Sequence, residues 1–479
     1  MTRTVSESSE SLLNPVATVD QGIDGRGLFL HPRERNGTGL WNQIFPISRS
    51  HFDSGEVAEG EAMAAVPLPP PPLLASHAAV RAAASAVCRS RRARRAGDQP
   101  PQVAALLRGD WVKLICGASF EDAADVRNLS LVYTLAGVDC IDCAADASVV
   151  GAVNEGIDVA ASIIPAVQRP WVMVSVNDDC RDLHFRKAEF DPEDCPPDCS
   201  KPCEKVCPAD AISLESVMVG EHTQSDPLHG KFKGGVLTER CYGCGRCLPV
   251  CPYDRIRAVS YVRDPTTTSE LLKRNDVDAI EIHTTGKGTD TFNTLWNSLR
   301  ESISNVKLVA VSMPDIGEST VDFMNALYAI MEPHIQGYNL WQLDGRPMSG
   351  DIGRGATRET VSFAVHMASV SERPPGFYQL AGGTNSYTVD CLKKAGLFRS
   401  TTFPGTATSE MIGSQQTLIG GIAYGGYARK IIGRTLRKVP AQFGCVRIED
   451  HPEHLLEALQ EALSLVGPVK GYPALSSLS

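Results

Sequence analysis

The chain has 479 residues, 43% of them hydrophobic, and a formal net charge of −10 from 46 basic and 56 acidic residues. That length suits two or three domains, or one α/β barrel of about 250 residues with additions. The acidic balance argues against a nucleic-acid surface, which gathers Lys and Arg on one folded face, and no run approaches the ~18 consecutive apolar residues of a membrane-spanning helix.

Residues 1–105 read as a disordered leader: a Ser- and Glu-rich start, a Pro-rich run from Pro67 to Pro72, and an Ala-rich stretch, Ala78 to Ala96, carrying Arg81, Arg89, Arg91, Arg92, Arg94 and Arg95. Such composition buries too little apolar surface to offset chain entropy. The Arg, Ala and Ser bias of the last stretch is that of an organelle transit peptide, although nine acidic residues before Val66 run against it.

From residue 106 the pattern becomes short β-branched runs alternating with helical stretches, the signature of βα units around a parallel sheet. Residues 106–176 supply strands over Trp111–Cys116, Asp139–Ala144 and Trp171–Val176. Ser119 to Asp122 reads as a capping box opening a helix to about Ala136, and Val149–Ala166 as a second helix.

Residues 177–262 interrupt this alternation, and Cys195 to Pro252 within them holds eight of the fifteen cysteines, in two runs that each end in Cys-Pro. Cys241, Cys244, Cys247 and Cys251-Pro252 follow the C-x2-C-x2-C-x3-C-P spacing of bacterial-type ferredoxins, in which three thiolates serve one iron–sulfur cluster and the fourth serves its neighbour. Cys195, Cys199, Cys203 and Cys207-Pro208 have three residues in every gap, a looser form that leaves a three-iron first cluster as the alternative to a full 4Fe–4S. The exchanged pattern assigns Cys207, Cys241, Cys244 and Cys247 to one cluster, and Cys195, Cys199, Cys203 and Cys251 to the other. Zinc ribbons use two separated pairs, and disulfides need an oxidising compartment, so both alternatives fit less well.

The alternation resumes over residues 263–449, with strands Val277–His283, Val306–Ser312, Tyr338–Leu343, Phe377–Leu380 and Leu418–Tyr424; residues 450–479 are a C-terminal helix and tail. Eight strands in all favour a TIM-like (β/α)8 barrel with a two-cluster insert over an open doubly wound sheet. Ligands then belong at the carboxyl ends of the strands. Gly382-Gly383 and Gly425-Gly426 follow the last two strands there, where small residues let backbone amides approach a phosphate at a helix start. These pairs suggest a phosphate-bearing ligand, FMN among the options; tight turns alone are the other reading. Arg346 and Arg354, in the Gly-rich loop after strand Tyr338–Leu343, are candidates to clamp its anionic group. His283 and Lys113 are weaker candidates for the barrel mouth. Cys140 and Cys143 alternate across a strand, which argues against ligation by that pair, while Cys116, Cys180, Cys391 and Cys445 read as packing or unassigned thiols. No nucleophile and base pair is identifiable from spacing.

Five segments, Gly109–Ser119, Leu135–Asp142, the two cysteine runs and Trp341–Gly350, resemble the light-dependent period protein A (LdpA) family of cyanobacterial iron–sulfur proteins with plastid relatives. The resemblance implies redox input to a circadian clock through iron–sulfur centres that report the photosynthetic quinone pool, with a quinone or redox protein as donor. It also implies a plastid stroma address for this longer chain. Two functions follow: a redox sensor or electron carrier, and an oxidoreductase whose clusters feed a flavin at the barrel mouth. Against the second, the first strand lacks the Pro and Met usual beside such a flavin.

Overall fold

The computed structural model describes residues 72–94, 98–214, 232–233, 235–346, 348, 352–399, 418–439 and 446–472. The acidic start and most of the Pro-rich run lie outside these residues, as does Cys445.

Eight parallel strands close into a barrel. They are β1 (Trp111–Gly117), β2 (Cys140–Ala144), β3 (Trp171–Asn177), β8 (Ala279–His283), β9 (Leu308–Pro314), β10 (Tyr338–Asp344), β11 (Phe377–Ala381) and β12 (Ile419–Tyr424), each paired with the next and β12 with β1. All eight coincide with the strands expected from the sequence. Between β3 and β8 sit the small elements of the insert: β4 (Arg186–Glu189) antiparallel to β7 (Arg257–Ser260), the helix α5 (Pro202–Val206), and the two-residue pair β5 (Phe232–Lys233) and β6 (Val236–Leu237).

The outer layer comprises α3 (Ala123–Ala136), α4 (Ala147–Ile163), α6 (Pro265–Leu272), α7 (Asp290–Ile303), α8 (Thr320–Met331), α9 (Thr357–Ser369), α10 (Thr388–Lys394) and α11 (Gly426–Leu436). Strand residues of alternate parity face these helices: Val112, Leu114, Cys116, Val172, Val174, Val176, Ile280 and Ile282 all belong to one continuous apolar core. The opposite parity faces the barrel axis. At the amino-terminal end that interior is apolar, with Trp111, Cys140, Trp171, Met173, Ala279, Leu308 and Leu340 closed off by Val103, Ala105 and Leu106 of α2 (Pro101–Arg108).

The start of α3 differs in detail from expectation. Asp122, not Ser119, caps it, its carboxylate accepting from Asp125 N at 3.0 Å. Ser119 instead donates to the carbonyl of His184 in the insert, so the hydroxyl serves a long-range contact rather than a local cap.

The Arg-rich stretch is also a correction to the leader. Pro72–Ala93 is a helix, α1, whose Val80, Ala84 and Val87 join the main core. Arg91 reaches from it to the buried Asp139 at 2.8 Å and also donates to the Gly137 carbonyl. Gly137 has φ +85°, and a Cβ there would meet Val87 at 2.8 Å, so only glycine lets α1 dock. The C-terminal helix α12 (Pro452–Lys470) packs beside α1, and its Lys470 completes the group around Asp139. A segment whose isolated composition looks disordered is thus ordered by a partner nearly 400 residues away, which no local pattern reports. Arg91→Met is expected to cost about 1.5–3 kcal/mol, the range for a hydrogen bond to a charged group. Urea unfolding measures it, and an unchanged midpoint would mean that α1 does not dock in solution.

Candidate functional site

The insert has its own small core, in which Ala188, Phe190, Ala211, Ile212, Val236 and Ile256 pack around the cysteines. Such a core is too small to hold a domain by itself, which is the situation in which bound metal supplies the missing folding energy. All fourteen described cysteines are free of disulfides. Cys207, Cys241, Cys244 and Cys247 border one small cavity of about 20 Å³. Burial pushes the Cys247 thiol up to about 12, and the neighbouring Cys244, Cys241 and Cys207 add to the shift. Cys251 stands in the other group, where Cys195 is raised by burial and then by Cys199 and Cys251, and Cys203 likewise has Cys251 beside it. Cys207 of the first run thus borders the cavity of Cys241, Cys244 and Cys247, while Cys251 of the second run neighbours Cys195 and Cys203.

Backbone amides point at the sulfurs. Ala211 N donates to Cys207 Sγ at 3.2 Å, Ala188 N to Cys241 Sγ at 3.3 Å, and Arg255 N to Cys251 Sγ at 3.4 Å. Donors of this kind favour thiolate over thiol and tune a cluster's potential. Gly243 and Gly245 have φ of +72° and +74° with Arg186 packed against them, so the chain turns back tightly enough to bring three sulfurs to one side.

A second cavity, of about 170 Å³, opens at the carboxyl ends of the barrel strands. Its barrel wall includes Ile115, Phe120, His283, Asp344, Gly425 and Gly426; its other wall is the insert, through His184, Pro208, Ala209, Tyr242 and Arg246. Tyr242 directly follows Cys241 and ties the two together: Arg429 stacks 4.4 Å over its ring and donates to the Cys116 carbonyl at the end of β1 at 2.8 Å.

The barrel-face residues expected from sequence divide here. Gly425, Gly426, Gly382, Gly383 and Arg346 all line the cavity, whereas Arg354 is absent from its wall and stacks on Tyr387 at 4.7 Å. Gly382 and Gly383 have φ of +69° and +94°, and a Cβ on Gly383 would fall 2.1 Å from the Ala356 carbonyl oxygen. Close backbone approach therefore explains that pair. At Gly425 a Cβ would meet only Ile115, at 3.6 Å, so a tight turn does not require glycine there and the space lies open toward the cavity. Cys140 and Cys143 point to opposite faces, one into the axial core and one into the outer core.

Below the cavity the barrel axis is polar, where such interiors are usually filled by branched apolar side chains. Lys113, fully buried, is paired with Glu281 and lies 4.0 Å from Asp142. Gln342 donates to Glu281 at 2.8 Å, Gln379 to Gln342 at 2.8 Å, and Ser175 to Asp142 at 2.7 Å. Burial opposes the charge on Glu281, but Lys113 and then His283 hold its carboxyl below the usual range; burial raises Asp142. His283 ends β8 with Nε2 at 3.0 Å from Glu281 and Nδ1 at 3.5 Å from Asp182. Burial lowers its pKa, yet Glu281 and Asp182 more than compensate and raise it to about 9. His184 Nδ1 lies 2.8 Å from Asp182 in turn. Asp182 and His184 escaped the sequence reading; the signal was an Asp-x-His pair in the loop after β3, beside a strand that itself ends in His.

Comparison with known proteins now bears on this arrangement. Residues 195–262 match the LdpA Fe-S cluster-binding domain, and residues 271–468 match the light dependent period A C-terminal domain. The chain is 40% identical over 366 residues to "Light dependent period A" of Synechococcus elongatus, covering 76% of this chain and 93% of that protein. The chain belongs to the light dependent period A family. Its LdpA cluster-binding domain holds all eight clustered cysteines, and the thiol groups, the cavity between them and the amides aimed at sulfur fit an iron–sulfur cofactor. The LdpA C-terminal domain covers the second part of the barrel from the end of α6 and most of α12.

Proposed function

We propose that this chain is a redox sensor or electron carrier with two 4Fe–4S clusters, one held by Cys207, Cys241, Cys244 and Cys247 and the other by Cys195, Cys199, Cys203 and Cys251. The observation that carries the reading is shared construction: the loop between Cys241 and Cys247 borders both the four-thiol cavity and the cavity at the barrel mouth. A cluster at that position supplies one-electron chemistry. Tyr242 and Arg429 keep the module seated on the ends of the barrel strands, and the apolar Phe120, Ile115 and Leu129 limit water in the gap between them. A quinone or a redox protein is the donor class that suits such a gap. The relative's name ties it to a light-dependent period, which supports a role in light or circadian signalling, and its cyanobacterial source supports a plastid address here. No helix among the described residues is long and apolar enough to cross a membrane.

The open space at Gly425, at the amino end of α11 and beside Arg429 and Lys430, favours a second reading in which a phosphate-bearing ligand such as FMN sits at the mouth and accepts electrons from the module. Iron, acid-labile sulfide and the visible spectrum of the anaerobically purified chain test both. About eight irons per chain without flavin bands supports the sensor or carrier, and flavin bands support the oxidoreductase. Near-zero iron with bound zinc defeats both. In the flavin case Gly425→Asp is expected to abolish those bands with the fold intact, because its Cβ meets no closer neighbour than Ile115 at 3.6 Å.

A further inference from the structure

Asp182, His184 and His283 meet beside the mouth cavity, one potential ligand atom from each lying within 4.8 Å of the others. They come from two neighbouring elements, the loop after β3 and the end of β8, whose Asn177 and His283 are paired across the sheet. None of the three is part of the cysteine module's thiol sets. Asp182 and His283 are buried, with 7% side-chain exposure each, and His184 and His283 both reach the cavity wall.

We propose that these three side chains form a site for one divalent first-row transition cation, open on the side of the cavity. Ligand atoms bound at about 2.1 Å around one metal lie about 3.0–3.4 Å apart when adjacent. His184 Nδ1 lies 2.8 Å from Asp182 Oδ1 and His283 Nδ1 lies 3.5 Å from Asp182 Oδ2, so the two imidazoles approach the two oxygens of one carboxylate. The longer spacing is too far for a good hydrogen bond and about 0.1 Å beyond the widest adjacent-ligand spacing. The other ring nitrogen of His283, Nε2, is buried 3.0 Å from the Glu281 carboxylate without a hydrogen-bonding angle, close enough for Glu281 to serve as its outer partner when Nδ1 takes a cation. Glu281 is itself anchored by Lys113 and by Gln342 at 2.8 Å. Phe185 packs edge-on against the His283 ring at 5.3 Å and restrains its rotation. Two imidazoles and one carboxylate select borderline cations such as zinc, iron(II) or cobalt(II) over calcium or magnesium, which prefer oxygen ligands. Three protein ligands leave positions for water or a ligand from the cavity.

The test is cobalt(II) addition to the full chain with its clusters in place, followed by metal analysis and absorption spectroscopy. One cobalt per chain beyond the cluster iron is expected, with weak visible d–d bands and no strong thiolate charge transfer. His184→Gln is expected to weaken cobalt binding about 10-fold or more while iron content stays unchanged. In the wild-type cobalt protein, paramagnetic NMR should show two shifted imidazole N–H signals, a readout that needs no variant. No cobalt beyond the clusters, cobalt with thiolate bands, fewer than two imidazole signals, or unchanged affinity in a folded His184→Gln protein would each overturn the site.

Discussion

Cys244→Ser is expected to lower the iron content of the anaerobically purified chain from about eight atoms to about four, with half the sulfide lost and the far-ultraviolet circular dichroism retained. Cys244 lies with Cys207, Cys241 and Cys247 around one cavity, and a serine hydroxyl keeps the shape but not the soft, readily ionised donor that iron and sulfide require. Cys195, Cys199, Cys203 and Cys251, linked as neighbours through Cys195 and Cys251, are expected to retain their metal. The barrel is expected to survive because none of the clustered cysteines belongs to its core: they pack with Ala188, Phe190, Ile212 and Val236 in a core of their own. Local loosening of residues 195–262 is expected, read as faster proteolysis there than in the barrel. Loss of all iron would contradict the exchanged grouping, and loss of the whole far-ultraviolet signal would mean that the metal holds the barrel together as well.

Lys113→Met is expected to destabilise the folded chain by about 3–5 kcal/mol, the cost of leaving a buried charge without its partner. Lys113 is fully buried on the barrel axis between Glu281 and Asp142, and removing its ammonium sets two carboxylates facing each other with His283 as the remaining neighbouring cation. The double variant Lys113→Met, Glu281→Gln should recover much of that loss, because a neutral amide can keep the hydrogen-bonding shape while the charge goes. Urea unfolding of both proteins, prepared with intact clusters, gives the comparison. A single variant costing under about 1 kcal/mol would show that the pair is not ionised in the folded state. Glu281 Oε1 lies 3.0 Å from His283 Nε2, so the single variant should also weaken cobalt binding at the barrel mouth.

Local spacing determined much of this protein. The cysteine runs declare their chemistry in sequence because a ferredoxin-type cluster takes three of its sulfurs from one short loop, whose spacing must suit the cluster whatever surrounds it. The barrel strands are legible for a similar reason, since burial on both faces of a parallel sheet leaves near-continuous apolar runs such as Trp171–Val176. Tertiary structure decided the rest. Gly382 and Gly425 look alike in sequence, yet one is required by the backbone packed against it and the other opens to a cavity. Arg346 reaches that cavity and Arg354 does not, although eight positions of one loop separate them. The helix Pro72–Ala93 is ordered by the far end of the chain. Lys113, Asp142, Glu281 and His283 lie on three strands, and only closure of the barrel brings them to one axis, where loss of water turns scattered charges into one coupled network.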